Sequence, residues 1–137
     1  MYRALVDRQA VQQWMVPDGM TSQVHEFEAH EGGTFRISLT YDVPTATGKT
    51  DSHTDTFHGR FARLMPDAEV VQLVEFETDH PELQGEMTIT YTLSEADGAT
   101  DLVGLHEDLP VGVRAEDNEL GWSISLGKLA RLVETAR

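Results

Sequence analysis

The sequence predicts an α+β domain in which a curved antiparallel sheet of about six strands is preceded by a short helix and followed by a long one. Three observations lead there. Apolar residues recur at helical spacing in the first fifteen residues and again in the last twenty or so. The chain between them alternates with period two, and Gly, Pro and Asp clusters break that stretch into short runs.

Tyr2 to Met15 places Leu5, Val6, Ala10, Val11 and Trp14 on one helical stripe, and Pro17-Asp18-Gly19 stops it. Val24 to Ala29 reads as a strand, closed by the turn signal Glu31-Gly32-Gly33. Phe35, Ile37, Leu39 and Tyr41 then alternate with Arg36, Ser38, Thr40 and Asp42, the mark of a half-buried strand. Pro44 to Asp51 is small and polar and reads as a loop. Thr54 to Leu64 is a long strand ending at Met65-Pro66-Asp67, and Glu69 to Glu77 is the next. After a connection over Asp79 to Gly85, Glu86 to Leu93 puts Met87, Ile89, Tyr91 and Leu93 on one face. Ala96-Asp97-Gly98 supplies a hairpin turn and Thr100 to His106 returns. Leu109 to Gly112 is a loop, and Ala115 to Ala136 carries enough apolar positions for a long C-terminal helix.

Composition bounds the function. A chain of 137 residues fits a single domain over 1–137 with a real core. It has no cysteine, so disulfides, thiolate metal sites and cysteine nucleophiles are excluded. The net charge of −14, with the ten basic residues scattered, repels phosphate backbones and anionic headgroups; neither nucleic acid nor a membrane is an expected partner. No apolar run approaches the roughly 20 residues that cross a bilayer, and the N-terminus has no signal-peptide core. A cytoplasmic location is the expectation.

The layout has a geometric consequence. A long twisted sheet curls, and one helix of about 10 Å diameter cannot fill its concave side. The inward strand positions are Phe35, Ile37, Phe57, Phe61, Val74 and Phe76, continued by Met87, Ile89 and Tyr91. The helices add Trp14, Trp122 and Leu126. These twelve residues either pack a solid core or line a pocket for a small hydrophobic or aromatic ligand, and alternation alone leaves both readings open.

Several segments carry a resemblance. Tyr2-Arg3-Ala4-Leu5-Val6-Asp7 with Trp14, Gly32-Gly33, the run His53 to Phe61, Pro66, and Gly121-Trp122 with Leu126, Leu129 and Leu132 resemble the START-like (SRPBCC) superfamily. Within it they resemble the bacterial branch related to activators of the heat-shock-protein ATPase. The resemblance implies the helix-grip fold and a deep cavity between sheet and C-terminal helix. It also implies an opening strand ahead of the segment that here starts at Tyr2. Either the coding start lies upstream of Met1 and supplies that strand, or the outer edge of Thr100 to His106 is expected to be unpaired or covered by another molecule, a homodimer being one way to cover it.

The residues that could carry chemistry are few. In His53-x-Asp55-x-x-His58, the strand period puts His53 and Asp55 on one face and His58 on the other, so a two-His, one-carboxylate metal site fails on this strand alone. Glu75, His106 and Glu107 are candidates for acid–base work, because a carboxyl in an apolar cavity has a raised pKa. No nucleophile triad, phosphate loop or dinucleotide fingerprint is present. No catalytic residue, metal ligand or cofactor is assigned. The expected function is binding of a small hydrophobic ligand. The alternative is a cyclase, aromatase or hydrolase-type enzyme using the same cavity, and a co-chaperone role, resting on the family resemblance alone, comes last.

Overall fold

The computed structural model describes residues 2–16, 19–41, 54–78, 81–96 and 99–135. Two short helices, α1 (Tyr2–Val6) and α2 (Arg8–Trp14), lead into six strands: β1 (Met20–Phe27), β2 (Thr34–Tyr41), β3 (Thr54–Met65), β4 (Glu69–Phe76), β5 (Met87–Ala96) and β6 (Ala99–Glu107). A 3-10 turn (Pro81–Leu83) separates β4 from β5, and α3 (Ala115–Thr135) follows β6. The strands lie in sequence order and every neighbouring pair is antiparallel. This is the curved α+β sheet and C-terminal helix expected.

The single N-terminal helix expected over Tyr2 to Met15 is two. Asp7 is extended (φ −106°, ψ 121°) and caps α2, whose first backbone bond runs from Val11 N to Asp7 O at 2.9 Å. The break turns α2 back onto α1, so that Leu5, Val11 and Trp14 enter one core, and the Trp14 indole Nε1 donates to Ala4 O at 2.8 Å. A straight helix would have carried Leu5 away from Trp14. The first strand starts about four residues earlier than expected, because its ladder with β2 reaches Met20 opposite Tyr41. It ends about two earlier, because Glu28 to Gly33 close into a turn through His30 N to Glu28 O and Gly33 N to His30 O. Gly33 cannot be replaced there, since a Cβ would run into the Glu28 carbonyl. β5 and β6 outrun their expected ends because their ladder continues to Ala96 and Ala99. The expected loop Pro44 to Asp51, His53, and Asp97-Gly98 lie outside the described residues.

Curvature comes from two bulges, between Val24 and Glu26 in β1 and between Phe61 and Arg63 in β3. Beside the second, Gly59 lets the Phe35 ring lie across β3, where a Cβ would meet that ring and the Leu73 carbonyl. The concave face then divides. At one end α1 and α2 cover it, and Val24, Phe35, Phe61 and Val70 are buried with Leu5 and Trp14. Phe61 meets Phe27 and Phe35 at ring-centroid distances of 5.4 Å each. The second half of α3 packs on this end through fully buried Leu129, and Lys128 Nζ donates to Val16 O at 2.7 Å. The first half of α3 extends over the other end of the sheet.

Candidate functional site

Under that first half of α3 the sheet is not filled. A cavity of about 530 Å³ opens there, within the range of small-molecule sites. Its floor is the inward row Phe57, Val74, Phe76, Met87 and Ile89 from β3, β4 and β5. Gly121, Trp122, Ile124 and Ser125 of α3 form the roof. Met15, Met20, Leu39 and Tyr41 close one side, and Val113, Arg114 and Leu120 stand at the rim.

Of the twelve residues that sequence periodicity points inward, Phe57, Val74, Phe76, Met87, Ile89 and Trp122 line this space. Trp14, Phe35, Ile37, Phe61 and Tyr91 are instead buried in the packed part of the core. Leu126 packs from α3 toward Gly104 and the Tyr91 ring. The parity of a strand states which face a side chain takes, and the position along the strand decides whether a helix already covers that face.

The polar members are Asp55, His106, Asn118, Arg114, Tyr41 and Ser125. Asp55 takes the inward parity two residues before Phe57 and is buried at 4% exposure. His106 pairs with Ile89 in the β5–β6 ladder and so shares its inward face. Its Nδ1 lies 3.1 Å from Asn118 Nδ2, and its ring meets the Trp122 indole edge-on at 4.7 Å. Burial pushes the His106 pKa from 6.5 down to about 4, so the ring is neutral at pH 7. Sequence periodicity could have found Asp55 and Ser125; Asn118 meets His106 only through the tertiary fold.

Behind Trp122 lies Tyr91, in contact with Trp14 and Trp122 at 6.3 and 6.1 Å. Its hydroxyl is buried and meets no hydrogen-bond partner among the described residues, and burial raises its pKa. Such an orphaned group costs about 1–3 kcal/mol.

The other acid–base candidates face away from the cavity. Glu75 is on the outer face, where its Oε1 lies 2.9 Å from His58 Nε2. His58 Nδ1 lies 3.1 Å from Glu77 Oε2, and Arg36 grips Glu77 with two bonds of 2.7 and 2.9 Å. The Arg36 bonds hold the Glu77 carboxyl below its usual range, with His58 assisting. Glu107 is exposed at the end of β6. The strand period's separation of Asp55 from His58 is therefore present in the fold: Asp55 faces inward and His58 outward. Among the described residues no group of three His, Asp or Glu side chains could hold a metal ion, and no helix is long and apolar enough to cross a membrane.

A curved antiparallel sheet that grips a C-terminal helix over a concave space defines a START-like, helix-grip protein, a ligand-binding fold in general terms. The family model for "Activator of Hsp90 ATPase homolog 1-like protein" matches residues 1–134, and the chain belongs to that family. Among solved structures, a Chromobacterium violaceum protein is 32% identical with a TM-score of 0.85, the match covering 97% of this chain and 86% of that one. A Rhodobacter sphaeroides protein shares the fold at 19% identity and a TM-score of 0.79, covering 99% of this chain and 84% of its own. A Silicibacter pomeroyi protein of the same family name does so at 20% identity and a TM-score of 0.75, over 99% and 92%. The comparison with curated protein sequences found no match.

Proposed function

We propose that this chain binds a small hydrophobic or aromatic molecule in the cavity between the sheet and α3. The observation that carries the reading is the contrast on one concave face: its α1–α2 end is covered by Leu5, Val11 and Trp14, while the end under α3 keeps about 530 Å³ open behind a mostly apolar wall. Water in such a space makes few hydrogen bonds, so an apolar molecule that displaces it gains the free energy of burying its own surface. An environment-sensitive dye should bind saturably and perturb Trp122 fluorescence, and Phe76→Trp should weaken binding by occupying the space. A folded protein that takes up no dye, or a Phe76→Trp variant that binds it equally well, would remove the support.

A second reading is an enzyme of the cyclase, aromatase or hydrolase type. It is favoured by Asp55 and His106, a carboxyl and a neutral imidazole on the same apolar cavity. Activation of a heat-shock ATPase is carried by the family's name alone and ranks below both. As partner chains go, a second copy fits the outer edge of β6, where Val103 and Leu105 are 62% and 52% exposed. Sedimentation across a concentration series tests this, and a monomer at every concentration would sink it. A cytoplasmic location accords with these readings.

A further inference from the structure

The cavity wall has one polar group whose orientation and protonation are both dictated by its neighbours. His106 is reached from two sides. Trp122 lies edge-on against the ring at 4.7 Å, and Asn118, one α3 turn earlier, presents its Nδ2 to Nδ1 at 3.1 Å. An amide NH2 only donates, so Nδ1 must be the accepting nitrogen, and the proton of the neutral ring then resides on Nε2. That Nε2 has no hydrogen-bond partner among the described residues, while the ring lines the cavity. Burial keeps the ring uncharged, which matters for selectivity because a charged imidazolium would draw anions.

We infer that His106 sets the chemical class of the ligand: its Nε2–H donates to an uncharged acceptor oxygen, such as a ketone, aldehyde or amide carbonyl, on an otherwise apolar molecule. This rests on the cavity being the binding site. A carboxylate is a poor occupant, because the neutral imidazole offers no compensating charge, Asp55 shares the cavity, and the protein carries a net charge of −14. Arg114 does not offset this; it stands at the rim, 75% exposed, with its Nε 3.8 Å from Glu116. Asn118 is a positioning residue that acts through His106, and Trp122 holds the plane of the ring.

Three probes of one shape separate the possibilities: 2-ethylnaphthalene, 2-acetylnaphthalene and 2-naphthoate, each titrated against the folded protein at pH 7. The acetyl compound should bind more tightly than the ethyl one by roughly 3- to 10-fold, the worth of one net hydrogen bond, and the carboxylate should bind most weakly. In His106→Phe the preference for the acetyl over the ethyl probe should vanish. Equal binding of the acetyl and ethyl probes, a preference that survives His106→Phe, or tightest binding by 2-naphthoate would each overturn the assignment. If none of the three binds, it is the cavity reading that fails. Should His106→Phe not fold, the ring 15N shifts of His106 in the wild-type protein decide: they should report the Nε2–H tautomer and move away from it in Asn118→Leu. An Nδ1–H tautomer would overturn the proposal.

Discussion

The two ends of the concave face are made from the same kinds of residue and differ in what covers them. Phe35 and Phe61 at one end and Phe57 and Phe76 at the other all take inward positions on neighbouring strands. At the first end, α1 and α2 fold back at Asp7 and supply Leu5, Val11 and Trp14, and the aromatic rings close on one another. At the second end the first half of α3 forms the roof through Gly121, Trp122, Ile124 and Ser125, with Val113 and Arg114 at the rim, and a space remains beneath it. Two layers of side chains meet in the first case; in the second, Phe57, Val74, Met87 and Ile89 are still buried but border a space that the roof does not fill. An apolar strand face thus becomes a filled core or the wall of an open space according to its partner, not its composition.

That contrast can be broken in three places. The largest effect is expected at Phe61, fully buried between Phe27 and Phe35. Phe61→Ala should cost about 3–5 kcal/mol in chemical denaturation, and a loss of about 1 kcal/mol would show that the packed end collapses around the void. The middle effect belongs to His106. Its folded-state pKa of about 4 lies below the ordinary 6.5, so the unfolded chain binds the proton more readily. The stability is complete above pH 6.5 and is lost as pH falls toward 4. The loss should amount to about 2 kcal/mol, once the part of the ring that reaches the cavity is discounted. His106→Phe should flatten the pH profile in that window, and an unchanged profile would mean that the ring is already solvated. The smallest effect is expected at Phe76, half-buried on the cavity floor. Phe76→Ala should cost only about 1 kcal/mol, because much of what it exposes already faces the gap, and a cost equal to that of Phe61→Ala would erase the distinction between the two ends.

The surface offers a milder version of the same lesson. On the outer face Arg36, Glu77, His58 and Glu75 form a chain of polar contacts across β2, β3 and β4. Their alternation with Phe35, Phe57 and Phe76 was readable from the strand period. Glu75 lies between Val74 and Phe76, which take the inward positions, so its carboxyl stands on the outer face beside His58 and away from the cavity.

Local sequence determined the elements and their faces. Period-two alternation from Phe35 to Tyr41 and from Met87 to Leu93 is enough to give strands with one apolar side, because backbone pleating sends successive side chains to opposite faces. The apolar spacing from Leu120 to Val133 is enough to give α3. The resemblance carried by Tyr2 to Asp7, Trp14, His53 to Phe61 and Gly121-Trp122 reached the family as well. Only the tertiary structure decided that the helix expected over Tyr2 to Met15 folds back at Asp7, and hence that Trp14 and Tyr91 are packed while Trp122 borders open space. It also brought Asn118 to His106, two residues from different elements whose pairing no local pattern announces. The physical reason is range: a strand's face follows from the backbone within two residues, whereas filling a concavity depends on which distant element arrives above it and how much of the surface it covers.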